Sequence, residues 1–267
     1  MSKNNDSAVD QHERYNVPGL DRGLRLLCEF NRRDRALTAP ELARRLNIPR
    51  TTTFRLLSTL ESLGFVRKAE GSNAYELGMA VLRLGFEYLA SLELTELGQP
   101  LLERVRDLTG LSCNLVIRDE RSVVVIGKVP APTPFVSTVH VGTRLPLHAT
   151  LLGRALLSDM SLEDLRVLYP EKGLEKYSAR TPRHADELYE LIRQDAAQGY
   201  AMDEGYFEPG VASAAAPVRD RRGRTVAALG VTIPVSYLHL AGLDREAIVA
   251  TVRGAAEELS RLLGYAH

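Results

Sequence analysis

The chain has 267 residues, with 34 Lys and Arg against 34 Asp and Glu, so its formal net charge is zero. At about 100–200 residues per domain, this length favours two domains over one. Hydrophobic residues at 45% and charged residues at 25% are ordinary globular proportions, which excludes a generally disordered chain. The uncharged stretches are too short for a membrane span, and the polar start lacks a secretory-signal pattern. The two cysteines, Cys28 and Cys113, exclude a disulfide framework and fit a cytoplasmic location.

Charge is distributed unevenly along the chain. Residues 17–77 carry eleven Lys and Arg against seven Asp and Glu, whereas residues 1–16 and 78–267 are both net negative. Between Glu41 and Glu61 there are four arginines and no carboxylate. A surface that binds phosphates needs such an acid-free stretch, because carboxylates repel the nucleic-acid backbone. A merely solvated helix face is the alternative interpretation of the charge alone.

The basic segment predicts three short helices and a β-hairpin, preceded by a flexible tail over residues 1–16. The first helix places four apolar residues on one stripe: Leu20, Leu24, Leu27 and Cys28. The second helix, about residues 39–46, has Thr38 as its cap and Glu41 three residues later, and Gly64 ends the third. The hairpin pairs residues 65–68 with 74–77.

This order of elements, with a three-residue turn before the third helix, is typical of a winged helix-turn-helix over residues 17–77. A small helical adaptor domain would have the same topology without the charge pattern. The helical period predicts that the third helix buries Thr53, Leu56, Leu57, Leu60 and Leu63. The opposite side and the hairpin supply the candidate DNA-binding residues, which are Arg50, Thr51, Thr52, Phe54, Arg55, Arg67 and Lys68.

These residue types suit different parts of a duplex. Arg55 has the fork geometry that binds guanine O6 and N7, and Thr51 and Thr52 can bond base edges or phosphates. Arg50 is expected on phosphate, together with the amides of the helix N-terminus. Phe54 either touches a thymine methyl group or packs against the second helix. The two hairpin cations contact phosphate or the minor groove, or are merely solvated.

Residues 78–95 predict a helix that is apolar on nearly all sides and therefore needs a partner to cover it. The second domain or a second copy of the chain could supply that cover. We favour the second copy, because one helix-turn-helix reads only a few base pairs and such proteins pair on palindromic half-sites. The segment is therefore predicted to be a linker and dimerisation helix.

Residues 96–267 predict a mixed α and β domain. An amphipathic helix ends at Gly110, and hairpins join strands 113–118 with 123–129 and strands 211–219 with 225–234. A further strand is expected over residues 135–141. Other helices are expected up to residue 157, from Ser161, over residues 185–198 and after Asp244. Hairpins with helices on one face make an antiparallel α+β sheet rather than a doubly wound one.

Several segments resemble the IclR family of bacterial transcription regulators. They include residues 42–57 (LARRLNIPRTTTFRLL), 145–150 (LPLHAT), 199–204 (GYAMDE) and 207–211 (FEPGV). The resemblance covers almost everything after the tail. It implies a winged helix-turn-helix, a linker helix and a GAF-like effector-binding domain. It also implies a homodimer or homotetramer whose promoter binding responds to small organic acids or aromatic compounds.

The resemblance also implies an effector pocket in the second domain, at Ser137, His148, Leu151, Leu152, Asp203, Ser213 and Thr232. The two leucines are bulky where relatives often have small residues, and Ser213 stands where cysteine is frequent, which favours an apolar ligand portion. The residues alone allow other roles. Asp203 could bond nearby backbone, and the Ser213 and Thr232 hydroxyls could bond each other. His148 more often braces such a turn, and Arg144 could pair an anionic effector or lie on the surface.

An enzyme and a pure oligomerisation module are the alternatives for the second domain. The six histidines show no metal-ligand spacing, and no nucleophile elbow, phosphate loop or dinucleotide fingerprint occurs. The sequence therefore predicts no catalytic residue, metal or cofactor. The expected partners are double-stranded operator DNA, a small-molecule effector and further copies of the chain, without a membrane.

Overall fold

The computed structural model describes residues 16–31, 33–90, 93–132, 139–171, 173–238 and 243–266, with side chains throughout these ranges except 86–90. The chain divides into two compact units, Met1–Leu89 and Ala90–His267. Each unit contains its own hydrophobic core. No helix in the described ranges is long and apolar enough to cross a membrane.

The first unit is a helix-turn-helix with a small sheet. Its elements are α1 (Pro18–Cys28), β1 (Leu37–Thr38), α2 (Ala39–Leu46), α3 (Arg50–Ser62), β2 (Val66–Lys68), β3 (Ala74–Leu77) and α4 (Met79–Ala90), which reaches the boundary between the units. The sheet is antiparallel with the order β1-β3-β2. The predicted hairpin is therefore present, and β1, which the sequence did not predict, extends it. Leu26, Leu42 and Leu57 form the centre of the core and are fully buried.

Local chemistry explains where α2 and α3 begin and end. The Thr38 backbone N–H donates to Glu41 Oε2 at 3.5 Å, as the predicted capping box requires. Asn47 ends α2 in the left-handed conformation (φ 52°), which asparagine tolerates better than most residues. Gly64 follows α3 with φ 76°, a conformation that favours glycine. The ends of the two helices are therefore specified by the residues at or next to them.

Only part of the predicted apolar stripe of α1 contacts the core. Leu20 and Leu24 are 62% and 55% exposed and Cys28 is exposed, whereas Leu27 is partly buried against the core. Gly23 and Leu26 are buried, and a Cβ atom added at Gly23 would lie 3.9 Å from the side chain of Leu56 on α3. The glycine side of α1 therefore faces α3, and Leu20 and Leu24 lie on the outside of this unit.

The predicted buried side of α3 is correct except at its end. Thr53 and Leu57 are fully buried, and Leu56 and Leu60 are partly buried against the same core. Leu63, the C-cap of α3, is however 59% exposed. Its backbone is still helical and its N–H donates to the Thr59 carbonyl, so the helical period alone does not decide its burial.

The second unit contains a six-stranded antiparallel sheet with the order β6-β5-β4-β9-β8-β7. Its strands are β4 (Ser112–Asp119), β5 (Ser122–Val129), β6 (Arg144–Pro146), β7 (Ala201–Glu204), β8 (Val211–Arg219) and β9 (Thr225–Pro234). Its helices are α5 (Glu93–Thr109), α6 (Leu151–Leu156), α7 (Leu162–Leu168), α8 (Ala185–Gln198), α9 (Val235–Leu238) and α10 (Arg245–Leu262). A 3₁₀ turn, Leu147–Ala149, precedes α6. The predicted antiparallel α+β class is confirmed.

Two predictions for this unit differ from the structure. The predicted strand at residues 135–141 lies partly outside the described residues, and residues 139–141 are not in a strand. Helices also pack on both faces of the sheet rather than on one. A Cβ atom at Gly98 of α5 would meet Leu115 and Leu259 on α10, whereas the adjacent Val116 belongs to the core beneath Leu151 of α6. Successive strand residues point to opposite faces, so α5 and α10 lie opposite α6.

A buried ion pair connects α6 with α8. Arg154 donates through Nε and Nη2 to the two carboxylate oxygens of Asp195, at 2.7 and 2.5 Å. The two side chains are 5% and 6% exposed, and the guanidinium lies 4.9 Å from the centre of the Tyr206 ring. This paired geometry is the usual condition under which two charges remain buried.

Replacing Arg154 by Met is expected to lower the free energy of unfolding by about 3–5 kcal/mol, because Asp195 would stay buried without a partner. Urea denaturation followed by circular dichroism measures the change. Arg166→Met is the matched control, since Arg166 pairs with Asp186 at 2.6 Å on the surface, where such a pair contributes less than about 1 kcal/mol. Equal destabilisation by the two substitutions would contradict this role of the buried pair.

Candidate DNA interface and ligand cavity

The N-terminal half of α3 presents polar and basic side chains outward. Arg50, Thr51 and Arg55 are exposed, and Thr52 is partly exposed. Phe54 is 53% exposed and so is not covered by α2 in this unit. A helix of 13 residues is about 20 Å long, and the major groove of B-DNA is wide enough to admit it. The outward surface of α3 therefore has the chemistry and dimensions of a recognition helix.

Ion pairing separates the basic side chains of the first unit into two groups. Arg45 bonds Asp34 at 3.0 Å and also lies within 4 Å of Glu29 and Glu41. Arg44, Arg50, Arg55 and Lys68 are exposed and make no ion pair with any residue that the structure describes. Of the four arginines in the acid-free stretch, Arg45 therefore stabilises the fold, while the other three remain open to phosphates.

The hairpin of β2 and β3, here called the wing, carries two cations, and they differ in ion pairing. Arg67 Nη2 lies 2.8 Å from Glu76 Oε1 on the paired strand, where Arg67 and Glu76 face each other directly. Lys68 is exposed without such a pair in the described part of the chain. A carboxylate so close to Arg67 weakens its attraction for phosphate, so Lys68 is the more available cation of the wing.

Strand register aligns a row of polar side chains in the second unit. Asp203 on β7 is directly opposite Ser213 on β8, which is opposite Thr232 on β9. Thr232 in turn faces Ser112 on β4, two residues before Asn114. Directly opposed residues of antiparallel strands share a face, so these side chains lie on the α6 side of the sheet.

This row forms one wall of a cavity of about 390 Å³, a size typical of small-molecule sites. Asp203, Ser213 and Thr232 line it, as do Leu151 and Leu152 at the start of α6. Residues that the sequence prediction missed complete the lining: Asn114, Val139, Thr143, Leu145, Thr150, Tyr206, Phe207, Glu208, Gly210 and Val211. One signal for them existed, because Asn114 interrupts the apolar run over residues 113–117 of β4. The others come from loops and strands whose approach no local pattern predicts.

One of the predicted effector contacts lies outside the lining of this cavity. His148 is 6% exposed and does not line the cavity; its Nε2 donates to the Glu175 carbonyl at 2.8 Å, so it braces the turn before α6. Of the two roles that the sequence left open for Arg144, the structure agrees with the surface one, since Arg144 bonds Asp119 at 2.6 Å with both side chains about half exposed. Ser137 lies outside the described residues.

Two buried groups in this unit are protonated and neutral at ordinary pH. Burial raises the pKa of the Cys113 thiol to about 12, and it raises the pKa of the Tyr169 hydroxyl to about 12. The reactive form of cysteine is the thiolate, so Cys113 behaves as a small apolar core residue. No group of three or more metal-ligating side chains occurs within the described ranges.

Two family models match the chain, and together they cover most of its length. The model of the IclR helix-turn-helix domain matches residues 19–70, and the model of the bacterial transcriptional regulator IclR C-terminal domain matches residues 86–261. The glycerol operon regulatory protein of Streptomyces coelicolor is 30% identical over 249 residues, which are 93% of this chain and 97% of that protein. The relatives that the chain resembles over nearly its full length are thus transcriptional regulators.

Solved structures agree with the sequence relatives. A transcriptional regulator from Rhodococcus is 31% identical with a TM-score of 0.81, covering 93% of this chain and 99% of that one. An IclR homologue from Microbacterium hydrocarbonoxydans, solved with 4-hydroxybenzoate, is 25% identical with a TM-score of 0.80 and covers 92% and 99% of the two chains. With both domains matched in order and the same fold in both units, the chain belongs to the IclR family of transcriptional regulators.

Proposed function

We propose that this regulator binds a specific operator sequence through α3 and that a small molecule in the cavity of the second unit changes its affinity for that operator. In this proposal the chain acts by binding rather than by catalysis, in the cytoplasm, and without a metal or cofactor. The observation that carries the DNA part is the outward face of α3, where Thr51 and Arg55 are exposed within a stretch, residues 42–60, that contains no carboxylate side chain.

The roles that the sequence suggested for individual residues are retained with one change. Arg55 is proposed to read guanine, with Thr51 and Thr52 on base edges or phosphates, Phe54 on a thymine methyl group, and Arg50 on the backbone. On the wing, Lys68 is proposed as the main phosphate contact, because Arg67 is already paired with Glu76.

The effector part of the proposal is supported by the cavity itself. Five of the seven side chains expected from the family resemblance line one cavity of about 390 Å³ beneath α6. A domain that served only for oligomerisation would have no need for such a space, lined by apolar groups and a few convergent polar ones. The relative bound to 4-hydroxybenzoate makes an organic acid or an aromatic compound the starting class for ligand screening.

Pairing of two chains is proposed to complete the DNA-binding unit. On α4, Met79, Leu82 and Leu84 are 75%, 46% and 57% exposed. On α1, Leu20 and Leu24 add a second exposed apolar stripe. Exposed leucines in this number favour cover by a second copy, and two recognition helices would then read the half-sites of a palindrome.

Arg55→Ala is expected to weaken binding to the preferred operator by about 1–3 kcal/mol and to relax the base preference at the position that it reads. The operator is first selected from a library of genomic fragments. Fluorescence anisotropy then measures dissociation constants for that operator and for a scrambled duplex of equal length at several salt concentrations.

Arg50→Ala is the matched control for this measurement. It is expected to weaken binding to both duplexes similarly and to reduce the steepness of the salt dependence, since a phosphate contact carries no base information. If Arg55→Ala weakened binding to operator and scrambled DNA by the same factor, Arg55 would not contribute to base recognition.

The double variant Leu82→Glu and Leu84→Glu is expected to dissociate the oligomer and to lower operator affinity, because charged side chains would then have to be buried between two chains. Sedimentation analysis gives the oligomeric state, and anisotropy gives the affinity. Arg83→Ala, on the same exposed part of α4, is the control that should change neither. A monomer that kept full operator affinity would refute the pairing role.

The ligand part is tested by screening carboxylic acids, phenols and alcohols for an increase in thermal stability. A ligand at 100 times its dissociation constant adds about 2.7 kcal/mol to the stability of the unit that binds it. A hit is expected to change operator affinity, and Ser213→Leu, which fills part of the cavity, is expected to abolish that response. A compound that changed the operator affinity of Ser213→Leu as much as that of the unaltered protein would bind outside this cavity.

A further inference from the structure

One buried polar atom in the cavity wall has no hydrogen-bond partner. Asn114 is 2% exposed, and its Nδ2 donates to Thr232 Oγ1 at 3.3 Å, whereas its Oδ1 has no partner in the part of the chain that the structure describes. An unpaired buried carbonyl oxygen costs free energy, so native proteins seldom retain one without a reason. Since Asn114 lines the cavity, a bound molecule is the natural source of the missing donor.

The hydroxyls beside Asn114 specify what kind of donor fits. Thr232 and Ser213, which face each other across β8 and β9, line the same wall. A ligand hydroxyl can donate to Asn114 Oδ1 and accept from one of these side chains at the same time. It would satisfy the wall equally well if the Asn114 amide were turned over, because a hydroxyl both donates and accepts.

The charges around the cavity disfavour an anionic ligand. The lining contains two carboxylates, Asp203 and Glu208. Among the residues that the structure describes, no Lys or Arg lines the cavity. The Arg180 guanidinium lies 3.1 Å from Asp203, so its positive charge is already paired with that carboxylate. Glu208 is exposed and has no ion pair within the described ranges.

Two cations behind the cavity wall already have hydrogen-bond partners. Arg154, which stacks on the Tyr206 ring, binds both carboxylate oxygens of Asp195. Lys128, which is partly buried and lies directly opposite Asn114 on β5, donates to the Val139 carbonyl and is not among the lining residues. A carboxylate ligand would lose its hydration, would lie near Glu208 and, unlike a hydroxyl, has no hydrogen to donate to Asn114 Oδ1.

Apolar side chains form most of the remaining wall. Leu145, Leu151, Leu152 and Val211 line it, together with the rings of Tyr206 and Phe207. Burial of an apolar ligand body against such a wall is favourable in proportion to the area removed from water. The cavity therefore combines an apolar wall with a polar wall that contains Asn114, Ser213 and Thr232.

From this arrangement we propose that the effector is a neutral molecule with an apolar body and a hydroxyl group bound by Asn114, and that the cavity discriminates against carboxylates. The inference rests on the proposed effector role of the cavity and narrows its ligand class.

Three matched pairs of probes test the inference on the full chain at neutral pH: benzyl alcohol and benzoate, cyclohexylmethanol and cyclohexanecarboxylate, and 1-hexanol and hexanoate. Within each pair the body is the same and only the polar group changes. Isothermal titration calorimetry without DNA gives the dissociation constants. We expect at least one alcohol to bind about tenfold more tightly than its acid, and no acid to be preferred. Acids that bind as tightly as their alcohols, or no binding by any probe at millimolar concentrations, would overturn the inference.

Two substitutions assign the preference to particular groups. Asn114→Leu keeps the size of the side chain and removes its amide, so the advantage of the alcohols is expected to fall from about tenfold to the roughly threefold part that Glu208 contributes, with folding checked by circular dichroism. Glu208→Gln removes an exposed charge at the cavity and is expected to improve the acids relative to their alcohols by about threefold. Glu163→Gln, an exposed residue of α7 outside the lining, is the matched control and should leave all ratios unchanged. An unchanged alcohol preference in Asn114→Leu would refute the role of Asn114.

Operator binding measured with the same probes separates the two proposals. If an acid is preferred and changes operator affinity, the cavity is an effector site and the neutral-ligand inference is wrong. If an alcohol is preferred and leaves operator affinity unchanged, the ligand class stands and ligand control of DNA binding is wrong.

Discussion

The pairing of Ser213 with Asp203 on one side and Thr232 on the other is the constraint on which the ligand cavity depends. A slip of one residue between these strands would turn the polar row to the opposite face, against α5 and α10. Gly230 supports the same arrangement, since a Cβ atom there would lie 2.6 Å from the Ala214 carbonyl oxygen and 2.9 Å from the Leu152 side chain. The absence of a side chain at residue 230 thus lets α6 approach the sheet and close the cavity.

A comparable constraint acts in the first unit. Complete burial of Thr53 and Leu57 fixes the rotation of α3, and this rotation determines that Thr51 and Arg55 point away from the core. Thr53 can be buried because its hydroxyl donates to the Pro49 carbonyl at 3.2 Å, at the start of the helix. The same hydrogen bond satisfies a polar group in the core and helps to hold the N-terminus of the recognition helix in place.

Electrostatic pairing divides chemically identical side chains between structural and functional roles. Arg44 and Arg45 are adjacent on α2, but only Arg45 points at the acidic cluster around Asp34, whose pKa is lowered by the hydrogen bond from Arg45. In the second unit, Arg154 forms an ion pair with Asp195, and Arg180 forms an ion pair with Asp203. Within the described residues, pairing thus leaves Arg50 and Arg55 of the first unit without an acidic partner and Glu208 at the cavity without a basic one.

Local patterns were sufficient for most of the secondary structure. Capping residues, glycines with positive φ and the period of apolar side chains are properties of short segments, so the boundaries of α2, α3, β8 and β9 could be predicted closely. The same period identified the outward face of α3, because the face opposite the buried side of a helix must be the exposed one. The family resemblance, rather than any local pattern, pointed to Asp203, Ser213 and Thr232, and neither the resemblance nor a local pattern pointed to Tyr206 or Phe207 as part of the cavity wall.

The sequence by itself determined the fold class, the order of the helices and strands, and the face of α3 that remains outside. Only the tertiary structure decided that α1 buries Gly23 instead of Leu20, that Arg67 is paired, that His148 braces a turn, and that Asn114 faces a ligand cavity. The reason is the range of the interactions. A helix cap or an apolar period is set by residues a few positions apart, whereas these outcomes depend on which distant segments pack together and in which strand register.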